Sequence, residues 1–236
     1  MSQLSEFIGS ERERFTNVDN NKFAMSVSQI SRYSAFLDVI LKRYEEISRQ
    51  LFENTKATQA AVLPGTHPVT GQLMTLYEEG LRLNLVLHLE IESYYLFAKI
   101  MLDKIVHALE FYFGQGRSIS LDSHDNLVKY FEAYAEQKGL ALPSEFMAML
   151  KTLKTDISDY RDYEIAHEKS PRRMSGTMFD AEGNMKMTAM SLYPTEKDQQ
   201  VESKVLHDLA RDLDIYITQV IELIRTNGAK TKLKTE

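Results

Sequence analysis

The 236-residue chain contains no cysteine and no tryptophan. Without thiols there is no disulfide, no thiolate metal site and no cysteine nucleophile. Prolines number five and glycines ten, so long stretches hold nothing that removes a helical donor or favours a turn. Long helices are expected. Large charge imbalance is missing too: 28 Lys and Arg stand against 34 Asp and Glu, for a formal net charge of −6. That excludes a surface tracking nucleic acid over its whole extent but leaves room for a local basic site. Unbroken apolar runs are absent where they would matter. Met1 to Arg14 is polar where a signal peptide needs an apolar stretch, and Leu81–Phe113 is interrupted by Glu90, Glu92, Lys99, Asp103 and Lys104. The expectation is a cytoplasmic protein with no membrane partner.

What is present is ordinary globular material, 43% hydrophobic and 26% charged, well away from the signature of disorder. Apolar residues recur at helical spacing from Lys22 to about Ala61, through Ile30, Tyr33, Leu37, Ile40, Tyr44, Ile47 and Leu51, with Asp19 and Asn20 as caps. Pro64-Gly65-Thr66-His67-Pro68 ends that helix. A second runs from about Gly71 to Phe113, with Gly114-Gln115-Gly116 as its stop. Its stretch Leu81–Leu109 is apolar on more than one face, which predicts a central helix with several neighbours. Tyr94, Tyr95, Phe97, Phe111, Tyr112 and Phe113 then belong to the core rather than to a base-stacking platform. A third helix spans about Asp122 to Gln137 and closes at Gly139, and Pro143 opens a fourth that continues to about His167.

Between Pro171 and Tyr193 the character changes to small residues, threonines and alternating methionines around Asp180-Ala181-Glu182-Gly183-Asn184. This reads as a β-hairpin. Met174, Met178, Met185, Met187 and Met190 there suit either an adaptable partner surface or gap-filling against the helices. A last helix, about Thr195 to Arg225, precedes a polar stretch. The expected fold class is therefore all-α: one domain over 1–226, a bundle of about five helices with a small β-hairpin (about 171–193) inserted before the last, and a flexible tail at 227–236. The central helices carry more apolar surface than one layer of neighbours covers, which predicts a homodimer.

One segment carries chemistry: Tyr160-Arg161-Asp162-Tyr163-Glu164-Ile165-Ala166-His167. An arginine followed by a polar residue, then a histidine after five intervening residues, resembles the motif of the HEPN superfamily. The likeness extends over roughly Leu81 to Arg173, taking in the long helix through Glu92-Ser93-Tyr94-Tyr95-Leu96-Phe97. The resemblance implies a helical bundle that commonly dimerises and, in many members, cleaves RNA without a metal or other cofactor, here in a defence or stress system. By that likeness Arg161 would hold the phosphate and stabilise its charge, His167 would carry a proton to or from the reacting oxygens, and Asp162 would orient one of them. Lys169, Arg172 and Arg173 would attract the RNA backbone. Six helical steps turn the chain by about 240°, so Arg161 and His167 cannot share a face of a straight helix. Either the helix ends before His167, or two protomers pool their motifs in a symmetric cleft.

Other readings of the same residues stand beside this one. Arg161 can pair with a neighbouring acid while His167 sits at a helix C-terminus, favoured by the dipole. The chain would then be a non-catalytic scaffold that binds another protein. Glu164 and His167 also have the Glu-x-x-His spacing of carboxylate-bridged metal bundles. Those bundles use the spacing twice, and neither His88 with Glu90 nor His107 with Glu110 repeats it, so no metal ligand set is assigned.

Overall fold

A computed structural model of the chain describes residues 2–11, 21–62, 71–162 and 206–233, together with strand residues 173–174, 178–179, 185–187 and 190–191. Six α-helices are present among these residues: α1 (Ser2–Ser10), α2 (Lys22–Ala61), α3 (Gly71–Phe113), α4 (His124–Lys138), α5 (Ser144–Leu153) and α6 (Leu206–Thr226). The chain is all-α in its helical core. No helix of the described residues is long and apolar enough to cross a membrane.

Helices α2 and α3 begin and end where the proline and glycine punctuation places them. Asn21, one residue beyond the expected caps, accepts the backbone N–H of Ala24 on its side-chain oxygen at 3.0 Å, satisfying one of the donors a helix start leaves over. At the far end of α3, Gly114 adopts φ +80°, a left-handed conformation that costs glycine little. The two helices run antiparallel along their whole length. Phe23 packs on Tyr112 with ring centroids 4.9 Å apart, Tyr33 and Phe36 meet Phe97 at 5.9 and 5.5 Å, and Asn54 donates to the Leu76 carbonyl at 3.1 Å. Near the middle, Arg43 lies 2.6 Å from Glu90, whose side chain is only 3% exposed.

At 1.5 Å per residue α2 and α3 are each about 60 Å long, whereas α4, α5 and α6 are much shorter and cover only part of them. This corrects the expectation of a helix wrapped along all of Leu81–Leu109. None of the buried residues of α3 precedes Leu83, and Leu81, Leu85 and Leu89 are 67, 72 and 57% exposed. From Glu90 onward the helix is the core: Tyr94, Tyr95, Leu102, Leu109, Tyr112 and Phe113 are all essentially sealed from solvent. Each such side chain contributes about 2–3 kcal/mol of apolar burial.

Three further departures from the sequence reading have identifiable causes. Residues 2–10 form α1, which two buried side chains, Leu4 and Phe7, anchor; Phe7 meets Phe23 edge-on at 6.5 Å. An apolar pattern that short gives no periodic signal. The fourth helix leaves α geometry at Leu153 and continues as a π-helix, Lys154–Asp159. The expected flexible tail is docked over 227–233. Buried Asn227 exchanges hydrogen bonds with both backbone groups of Ala141, at 2.7 and 3.0 Å. The Lys232 N–H and the Thr231 hydroxyl donate to the Tyr112 carbonyl at 2.8 and 3.0 Å, using an acceptor that the end of α3 leaves free.

In the inserted segment, Met178–Phe179 pairs antiparallel with Met185–Met187, and Arg173–Met174 with Met190–Ser191. The turn at 180–184, residues 163–167 of the expected fourth helix and 195–205 of the expected last helix lie outside the described residues.

Candidate functional site

The Arg161 motif begins on the π-helical segment. A π-turn holds one more residue than an α-turn and is found disproportionately at functional positions. Lys154 and Asp159, five residues apart, form an ion pair at 2.7 Å, a spacing that the wider turn brings into line. The buried Ser158 hydroxyl finds no hydrogen-bond partner inside this turn, a cost of about 1–3 kcal/mol for such a group. Tyr160 fastens the segment to the core by stacking on Tyr95 of α3 at 4.3 Å and 25°. The motif is therefore fixed where α3 passes from its bare half to its covered half.

Arg161 follows directly. Its Nη1 lies 2.6 Å from Asp162 Oδ1, and the two side chains are 33 and 40% exposed. A half-exposed pair of this kind contributes only about 0–1 kcal/mol. The guanidinium Nε–H is buried with no acceptor among the described residues. One edge of Arg161 is thus held by its neighbour, and the exposed third of the side chain, not the buried Nε–H, is the part an anion's oxygen can reach, since the fork presents several donors in one plane.

One turn along α3 from Tyr95 lies a second polar group that the sequence reading passed over. Lys99, with a side chain only 10% exposed, bridges Asp103 at 3.3 Å and Asp125 at 3.1 Å. Asp103 also accepts the backbone N–H of His124 at 2.8 Å, at the start of α4. The His124 ring is fully buried, meets Tyr216 of α6 edge-on at 6.0 Å, and has no hydrogen-bond partner at either nitrogen among the described residues. Burial, reinforced by the charge of Lys99, pushes its imidazole down to about 3, so this histidine is neutral at physiological pH. No spacing rule marked it, because its burial comes from α6, which is distant in sequence.

The structure brings Arg161 and Asp162 together. Arg173 opens the first strand, and His167, Lys169 and Arg172 lie outside the described residues. Glu164 does too; among the described residues no three His, Asp or Glu side chains converge as a metal site requires. Glu90 is engaged with Arg43 instead. A cleft of about 540 Å³ opens elsewhere, lined by Gln3, Ser34, Arg211, Asp214 and Thr218 among others, and takes in neither Arg161 nor Asp162. Comparison with protein-family models, curated proteins and solved structures finds no match.

Proposed function

We propose that the chain is a HEPN-type helical protein that cleaves RNA without a metal, with Arg161 and His167 as the catalytic pair and Asp162 as the residue that positions Arg161. The observation that carries this reading is the state of Arg161: a third exposed at the start of the motif, with only its Nη1 edge tied to Asp162. Arg161 binds the phosphodiester and stabilises the charge that develops on it. His167 moves a proton to or from the ribose hydroxyl or the leaving oxygen. Lys169, Arg172 and Arg173 steer the RNA backbone, and the segment 171–193 is a hairpin appendage. Such a nuclease suits a defence or stress response.

A second reading is favoured by the Arg161–Asp162 pair itself. A guanidinium whose neighbour already neutralises it can be structural, and the chain is then a scaffold that binds a protein partner. One experiment separates the two. Purified full-length protein with a chelator should cleave RNA, and Arg161→Ala or His167→Ala should each lower the rate about 100-fold with the far-UV circular dichroism unchanged. Wild type that leaves varied RNAs uncut, or variants that cut as fast as wild type, would remove the nuclease reading. Variants that unfold would place the two residues in the structural role.

A further inference from the structure

Opposite the side of α3 on which Leu83 and Leu87 are buried, the bare half of the helix carries a continuous seam. Met74, Leu81, Leu85, Leu89 and Leu96 are 40 to 72% exposed, and Glu78 and Glu92 stand between them. At 100° per residue these side chains fall within an arc of about 80° and span about 33 Å. The aliphatic members leave on the order of 500 Å² in water, a patch of the size that marks an interaction site.

The spacing selects the shape of what fits. From Met74 to Leu96 the steps are four, three, four, four, three and four residues, an eleven-residue pattern given twice. At about 3.7 residues per turn such a seam stays almost parallel to its helix axis. A second helix laid along it therefore keeps contact over about six turns, where a loop or a single turn would cover only part.

The charges select the chemistry. Other acids of α3 are matched within the molecule, Glu79 by Arg82 and Glu90 by Arg43. Glu78 and Glu92 are exposed and have no ion-pair partner among the described residues. An apolar or acidic helix would take both carboxylates out of water unpaired. A second copy of the chain would do the same, because pairing the leucines antiparallel about Leu85 sets each Glu78 against the other copy's Glu92. Further along, the same side of α3 continues through Lys99 and Asp103, and there the start of α4 lies on it. Asp125 reaches Lys99 at 3.1 Å, and the His124 N–H donates to Asp103 at 2.8 Å. Where this face is covered, a helix covers it with the complementary group at each charge.

We infer that the bare half of α3 docks an amphipathic helix of another protein, at least about 22 residues long, with aliphatic side chains along one face and two arginines or lysines placed to meet Glu78 and Glu92. The 14 residues between the two acids set the register. Arginine suits both positions, since its stem lies along leucines while its fork takes a carboxylate. The inference gives the scaffold reading a class of partner but does not rest on it, and it holds equally for a nuclease.

The probes are three synthetic helical peptides with one leucine face, identical except at the two positions that meet Glu78 and Glu92, which hold Arg, Gln or Glu. Fluorescence anisotropy with the full-length protein should rank the Arg peptide tightest, the Gln peptide about ten-fold weaker and the Glu peptide weakest. The double variant Glu78→Arg with Glu92→Arg should reverse that order. Leu85→Glu should abolish binding of the Arg peptide. Far-UV circular dichroism should not change in either variant, because all three positions are exposed. Four results overturn the inference. The Arg peptide fails to bind, which leaves the face to residues 163–205; the Arg and Gln peptides bind equally; the double variant keeps the wild-type order; or sedimentation velocity at about 10 μM shows a wild-type dimer that Leu85→Glu dissociates, which gives the face to a second copy. RNA cleavage, present or absent, bears on none of these outcomes.

Discussion

The two halves of α3 are both rich in apolar residues and differ in what covers them. Between Gly71 and Leu89 the helix buries Leu83 and Leu87 against α2 on one side and leaves Leu81, Leu85 and Leu89 in water; between Glu90 and Phe113 apolar surface is sealed by α2, α4, the π segment and α6. Apolar character is common to both halves. What separates them is reach, because helices of 15, 10 and 21 residues cannot cover partners of 40 and 43. A hydrophobic helix is core only where the chain has something left to lay against it.

The largest expected contrast between the halves is in truncation. Leu102→Ala in the sealed half removes a fully buried side chain and should cost about 2–5 kcal/mol in denaturant unfolding. Leu81→Ala in the bare half should change the intrinsic stability of the protomer by less than about 0.5 kcal/mol. Equal losses at the two positions would break the comparison.

Ion pairs sharpen it. Glu90 stands at the boundary with its carboxylate shut away from water beside Arg43, close in charge though not aligned as a hydrogen bond. Arg43→Met should strand that charge and cost about 3 kcal/mol. Glu79 and Arg82 in the bare half are 44 and 59% exposed, and Arg82→Ala should leave the denaturation midpoint almost unmoved. Chemical denaturation of both variants gives the ratio directly, and similar costs would mean that Glu90 is wetter than its surroundings imply.

The smallest effect is a slope. His124 in the sealed half binds a proton in the unfolded chain near its ordinary 6.5 but, when folded, only near 3. The unfolded state therefore holds more protons between those values, and stability falls as pH drops through that window. The fall is at most about 1.4 kcal/mol per pH unit and is complete near pH 3. Urea unfolding of wild type and His124→Gln at pH 7, 6 and 5 should show a shallower fall in the variant, whatever its absolute stability. Identical slopes would show that the imidazole takes up its proton in the folded protein as readily as in the unfolded one.

Much of the scaffold was legible beforehand. The ends of α2 and α3 follow from Pro64, Pro68 and Gly114, and the stop of α4 from Gly139, because backbone covalent geometry acts locally whatever the tertiary context. The Arg161 motif was legible as residue types at a spacing. The π-turn that carries it was not, since widening a turn depends on what Tyr160 and Lys154 find opposite them. Helix α1 and the docking of 227–233 were missed for a related reason. Phe7 needs Phe23 to pack on, and Thr231 needs the open carbonyl of Tyr112, and neither partner is near in sequence.

By itself, then, the sequence determined where the long helices start and stop, the absence of thiol chemistry and the acidic balance, all properties of single residues or of neighbours along the chain. Only the tertiary structure decided which leucines of α3 are core and which are surface, that His124 is sealed and neutral, and that Arg161 is paired with Asp162 while its Nε–H is buried without an acceptor among the described residues. Those outcomes depend on which helices are long enough to reach one another. Burial and charge are set by the elements that arrive from elsewhere in the chain, and no window of neighbouring residues contains them.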